Sequence, residues 1–245
     1  MGGGDKPAPF WFRLLVALTH LRRGTSVRAS AKIFGIHERS VRRYRDEVCR
    51  LLAGHGGQPP GAARPIRTLE DLRDHLDEVP RVMVDGTEVP RSMPIDWAAQ
   101  RAAWSGKTKD HVVKGTVVAD ASRRPVWFEA NPTGEGRTHD VTMLRAQLGL
   151  FAVLTLIGAD ALVDNAYQGL WHELGDRVVV PRLTTRGTTK TRAQRRLEQR
   201  LSGQRMPVEH AVGPMKWWRE LRYWRRSADR FDVVGKAIAA LASIT

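Results

Sequence analysis

Cysteine is nearly missing from this chain. Cys49 is the only one, which excludes an intrachain disulfide and a cysteine-ligated zinc cluster and is compatible with a reducing compartment. No apolar run approaches the ~20 residues that a bilayer-spanning helix needs. The basic segment, apolar stretch and small-residue cleavage site of a secretory signal are also lacking at the start. Acidic residues are in deficit: 26 Asp and Glu stand against 40 Lys and Arg, for a formal charge of +14 and a pI near 10.9. That surplus calls for a polyanionic partner, and nucleic acid is expected rather than a membrane. What remains is ample for a core, since 42% of the residues are hydrophobic and 245 residues suit one ordinary domain with a smaller one beside it.

Residues 1–9 are rich in Gly and Pro and are expected to be disordered. From Phe10 to about Arg23, Trp11, Leu14, Leu15, Leu18 and Leu21 recur at helical spacing. Ser26 to Leu52 fits a helix-turn-helix. Ala31 is small where two helices cross, Gly35 permits the turn, and Ile36 and Val41 fill the space between the helices. Val41, Tyr44, Val48 and Leu52 form the buried stripe of the second helix, which turns Arg39, Arg42, Arg43 and Asp46 outward. Residues 22–50 hold nine Lys/Arg and three Asp/Glu, as a recognition helix in a major groove requires, although a plain helical hairpin with a solvated basic face has the same pattern. Residues 54–66 read as a Gly/Pro linker, and Thr68 with Asp71 reads as a capping box opening a short helix from Leu69 to about Val79. The expected division is a disordered start (1–9), a helix-turn-helix DNA-binding unit (10–53), the linker (54–66) and an α/β domain (67–245).

Three acidic positions organise the rest. Val82-Met-Val84 leads into Asp85 and Gly86, which reads as a buried strand delivering a carboxylate to its end before a tight turn; Asp-Gly is also the commonest hairpin turn and needs no chemistry. Ala161-Leu-Val163 leads into Asp164, with Asp160 as a rival four residues upstream. Glu209 follows Pro207 and is expected in the first turn of a helix. Carboxylates gathered without cations repel one another; a hard divalent ion with oxygen ligands resolves that, and a pair of Mg²⁺ ions suits phosphoryl transfer. Strands are expected at His111–Asp120, at Arg124–Ala130 and at residues 178–181, with helices at 140–148 and from Phe231 onward.

Five pieces occur in order: Val84-Asp-Gly-Thr-Glu88, Trp104-Ser-Gly-Lys-Thr-Lys109, Gly136-Arg-Thr-His-Asp140, Asp164-Asn-Ala-Tyr-Gln-Gly169, and Val208-Glu-His-Ala-Val-Gly213 with Lys216. In these the chain resembles the DDE-type transposases of the insertion-sequence-5 family, DDE superfamily endonucleases with an RNase H-like catalytic domain. The resemblance implies an α/β fold: an RNase H-like mixed sheet with flanking helices, preceded by the helical unit. It implies Asp85, Asp164 and Glu209 as the catalytic and metal-binding triad, with Mg²⁺ or Mn²⁺, two ions, as cofactor. The implied partners are double-stranded DNA, as terminal inverted repeats and target, and a second copy of the chain in a homo-oligomer on DNA in the cytoplasm. The alternative class is a non-catalytic sequence-specific DNA-binding protein or an inactive transposon remnant.

The remaining charge is assigned to phosphate. Lys107 and Lys109 are expected to hold DNA near the acids or simply to lie in a solvated turn. Residues 182–205 carry eight Lys/Arg and one Glu, so Arg195, Arg196 and Arg200 are expected to track a backbone along the rim of the site. Arg205 and Lys216 flank Glu209. His139-Asp140 is read as a helix cap and Tyr167 as packing on the sheet. Of Trp217, Trp218 and Trp224, set among arginines, at least two are expected in the core, although such interleaving can also stack on unpaired bases.

Overall fold

A computed structural model describes residues 8–167, 169–180 and 191–244, without the side chains of 197, 198, 201, 202 and 204–207. The disorder expected for the start therefore falls mostly outside the described residues, as does the first part of the 182–205 charge run. Three helices come first: α1 (Phe10–Arg23), α2 (Val27–Phe34) and α3 (Glu38–His55). Ser26 starts α2 by accepting a hydrogen bond from the Ala29 amide at 3.1 Å, and Gly35 ends it at a φ of 63°. Val16, Ala31, Val41 and Tyr44 close the core between them. Arg39, Arg42 and Arg43 face solvent, whereas Asp46, expected to face outward too, is half-buried and bound to Arg45 at 2.8 Å.

The buried stripe of α3 outruns that small core. Cys49 at its lower end, together with Leu21 of α1, packs with Trp224, Phe231, Val234 and Ile238. The last three belong to α10 (Phe231–Ser243), so the helical unit shares a core with the α/β part. The stretch read as a linker is a folded loop. Pro59 is buried, Gly57 pairs with Ile66, and the Gln58 amide donates to Ser243 Oγ at 2.8 Å. Composition pointed to a spacer; the apolar end of α3 needs a surface to cover it, and that need holds the loop in place.

The sheet is built from β1 (Arg81–Pro90), β2 (Trp104–Ser105), β3 (Asp110–Ala119), β4 (Pro125–Ala130), β5 (Asp160–Leu162) and β6 (Val178–Val179). Its order is β4-β3-β1-β5-β6, with β2 also on β3; β1, β3 and β4 run antiparallel in turn, and β5 and β6 run parallel to β1. Between them lie α4 (Leu69–Asp77), α5 (Trp97–Ala103), α6 (Asp140–Ala146), α7 (Leu148–Leu156), α8 (Trp171–Leu174) and α9 (Arg192–Lys216). The Thr68/Asp71 capping box is present and starts α4. Helices α4 and α7 pack one face of the sheet through Leu72, Leu76, Leu150 and Leu154 against Val82, Val84 and Val118. Helices α9 and α10 cover the other face.

Two expectations fail at the ends of elements. Strand β1 runs straight through Asp85 and Gly86, paired with β3 from Met83–Ala119 to Pro90–Val112. No hairpin turn exists there, because the Val-rich β3 offers an unbroken ladder. Gly86 serves a close approach instead: a Cβ on it would lie 2.9 Å from the Asp140 carboxyl carbon. Helix α9 starts much earlier than expected, at a capping box of Thr191 and Gln194, and passes through position 207. Glu209 therefore sits deep in a 25-residue helix, where the capping signal at Thr191 outweighs the loss of one backbone bond at a proline.

Candidate active site

The pairings Arg81–Asp160, Val82–Ala161 and Met83–Leu162 fix β5 beside β1. Asp85 and Asp164 each lie two residues past the last of these pairs, Asp85 still within β1 and Asp164 just beyond the end of β5, so the register brings them to the same end of neighbouring chains. Side chains alternate across a sheet. Met83 and Leu162 meet Val208 and Ala211 of α9, while Val84 and Val163 lie in the opposite core. Alternation thus turns Asp85 and Asp164 toward the α9 face. Both are half-exposed. Asp164 also shapes the chain beyond it, since its carboxylate accepts from the Ala166 amide at 2.8 Å and its carbonyl from the Tyr167 amide. Tyr167 is fully buried on the sheet, as expected. Asp160, the rival, stands at the far end of β5, 3.6 Å from Arg81.

Glu209 lies on the same side of the sheet but on the exposed flank of α9, about 100° around from the buried Val208. Among the described residues no three His, Cys, Asp or Glu side chains are gathered closely enough to hold a metal ion. The donor set fits a hard divalent cation in kind, all carboxylate oxygen, and two of its members stand at the same end of neighbouring chains.

Directly behind Asp85, on the other face of β1, is a buried polar cluster. Lys114 Nζ is 2.8 Å from Asp140 and 3.1 Å from Glu88, and donates to the Thr138 carbonyl at 2.9 Å. Ser105 Oγ donates to Glu88 at 2.9 Å. The three charged side chains are 6–8% exposed. Burial works to lower the Lys114 pKa, but its bonds and charge contacts with Asp140 and then Glu88 outweigh that and raise it. Asp140 was expected to cap a helix. It opens α6, yet its carboxylate crosses Gly86 to reach Lys114, and His139 makes no side-chain capping bond. The sequence signal for this cluster was Lys114 itself, a charge inside a Val-rich strand, where a buried charge must be paired.

The other assigned residues scatter. Lys107 and Lys109 are exposed in the turn before β3. Seven strand residues, or about 23 Å, separate Asp110 from Val117, the partner of Asp85, so these lysines are not brought near the acids. Arg195, Arg196 and Arg200 are exposed along the first half of α9, and Lys216 is exposed at its end. The side chain of Arg205 lies outside the described residues. Trp224 is fully buried, Trp218 is partly buried and Trp217 is 58% exposed, so one tryptophan, not two, is in the core.

A family model described as DDE superfamily endonuclease matches residues 84–243, about two thirds of the chain. The matched span opens one residue before Asp85 and includes Asp164, Glu209 and the Lys114 cluster. No curated protein and no solved structure matches.

Proposed function

The chain belongs to the DDE superfamily endonucleases, and from that premise we propose that it is an insertion-sequence transposase of the insertion-sequence-5 type, cutting element ends and joining them to target DNA. The family implies a DNA substrate and metal-dependent nuclease chemistry. The observation carrying the assignment is the placement of Asp85 and Asp164 at the same end of the neighbouring β1 and β5, on the face that α9 crosses. A central strand flanked by antiparallel and parallel neighbours in this order supports the RNase H-like reading.

In this proposal Asp85, Asp164 and Glu209 bind two Mg²⁺ or Mn²⁺ ions. When bound, such ions activate the attacking oxygen and stabilise the leaving one. Asp164 presents its carboxylate from a turn held by its own bond to Ala166. The Lys114 cluster fixes the backbone of β1 behind Asp85, so that carboxylate is pre-positioned. Water attacks phosphorus in line, the P–O bond to the DNA 3′-oxygen breaks, and a 3′-hydroxyl is freed; that hydroxyl then attacks a target phosphodiester in the same way. The helices α2 and α3, with Arg39, Arg42 and Arg43 outward, act as a helix-turn-helix that reads the terminal repeats. Arg195, Arg196 and Arg200 track phosphates on α9.

The test is cleavage of labelled DNA carrying the inverted repeats that flank the coding sequence, with Mg²⁺. Asp85→Asn and Asp164→Asn should each lose cleavage and keep DNA binding, and Asp160→Asn should cleave normally. One observation favours the rival, a non-catalytic DNA-binding remnant: no three carboxylates are gathered among the described residues. No cleavage by wild type that still binds the DNA decides for that rival, and equal cleavage by wild type and Asp164→Asn overturns the role given to Asp164.

A further inference from the structure

At the joint between α1 and the end of α9 is an open groove of about 590 Å³, lined by Arg22, Arg23, Trp217, Arg219 and Arg222. Four of its five lining residues are arginines and the fifth is an exposed indole. Among the described residues none of these arginines pairs with a carboxylate, although the chain forms many ion pairs elsewhere. The Arg22 guanidinium lies 5.8 Å from the Trp217 ring centre and 5.6 Å from that of Trp218. Arg222 Nε donates to the Lys216 carbonyl at 2.6 Å, which sets the direction of its fork.

The two walls are locked together. Arg225 donates to the Gly24 carbonyl at 3.2 Å. Beneath them Glu220 meets Arg226 at 3.2 Å and His20 at 3.7 Å, all buried or nearly so. The groove is therefore a built feature of the joint and not a chance meeting of surface side chains. Its chemistry is specific: guanidinium forks match phosphate oxygens, and an indole left 58% exposed among cations offers a stacking surface for an unpaired base.

We propose that this groove binds a single-stranded segment of DNA, with a base on Trp217 and the flanking phosphates held by Arg22 and Arg222. Trp217 comes one residue after α9 ends and eight after Glu209, about 12 Å along the helix axis. A strand seated there runs within a few nucleotides of Glu209, so the groove would receive the frayed strand at an element end. That last placement rests on the endonuclease assignment above; the binding itself does not.

The experiment is fluorescence anisotropy of full-length protein with a labelled twelve-nucleotide oligothymidine and, separately, a blunt duplex lacking the terminal repeats. Trp217→Ala should weaken oligothymidine binding about tenfold and leave the duplex within twofold, and Trp217→Phe should restore most of the loss. Arg22→Ala and Arg222→Ala should each flatten the salt dependence for the single strand by a slope of about 0.7. Trp217 is exposed, so melting curves should match wild type and rule out misfolding. Unchanged oligothymidine binding in Trp217→Ala overturns the proposal, as does an equal loss on the duplex, which would make the groove a plain phosphate contact. Strand cleavage is scored independently: an inactive wild type whose oligothymidine binding still depends on Trp217 sinks the endonuclease reading alone.

Discussion

Replacing Lys114 with Met tests the buried cluster behind Asp85. Methionine nearly matches the length and volume of lysine, so packing survives and only the charge goes. What remains is Glu88 and Asp140, both 7–8% exposed, with no cation between them. Breaking a buried ion pair by removing one partner costs roughly 3–5 kcal/mol, a large part of the 5–15 kcal/mol that typically stabilises a domain. In a chain of this size that is a fall in Tm of about 10 °C. Adding Asp140→Asn to Lys114→Met removes one of the stranded charges and should recover at least about 1 kcal/mol, a coupling that a double-mutant cycle in urea reads directly. The pH dependence has a definite sign. Lys114 has a raised pKa in the folded protein, so its contribution is complete below the ordinary lysine value near 10.4 and is lost as pH climbs through the higher folded value. Wild type should therefore fall toward Lys114→Met only in strong alkali. A Lys114→Met protein within about 1 kcal/mol of wild type at pH 7 would refute the claim that these charges are buried and mutually compensated.

Three further outcomes follow from the packing. Gly86→Ala puts a methyl 2.9–3.1 Å from the Asp140 carboxyl atoms; it should destabilise by about 1–3 kcal/mol as overpacking, and combining it with Asp140→Ser should relieve most of the cost in a melting assay. His20 is held neutral, its pKa lowered to about 4, first by burial and then by the charges of Arg226 and Arg45; the unfolded chain then binds the extra proton, stability should fall from about pH 6.5 to pH 4 by up to about 3 kcal/mol, and His20→Gln should flatten that slope. Cys49, its thiol pushed up to about 11 by burial, sits in the core shared by α3 and α10; it should react with a thiol reagent no faster than that core opens, and rapid labelling of native protein would show the helical unit detached.

The sequence by itself determined what local rules decide. Helical periodicity placed α1, α2 and α3, and capping chemistry placed the start of α4. The Val-rich run from His111 placed β3, the run from Arg124 to Ala130 was legible as its partner β4, and the motif order announced the endonuclease family. These features depend on neighbours within one or two turns of chain, and periodicity records them. What only the tertiary structure decided depends on partners far away in sequence. Asp-Gly at 85–86 is a turn by local statistics, but a ladder to β3, some thirty residues on, kept the strand extended and turned Gly86 into clearance for Asp140. Thr191 began α9 earlier than Pro207 suggested. The linker composition of residues 54–66 gave way to a core that α3 could not close alone. Lys114, a charge inside a Val-rich strand, signalled that it needs a partner, but Glu88 and Asp140 look unremarkable singly, and the three became one cluster because a buried charge is tolerable only beside its opposite. The placement of Asp85 and Asp164 shows both contributions: each strand end was legible in the chain, while their arrival at the same end of neighbouring chains came from the parallel register of β1 and β5, which no local pattern encodes.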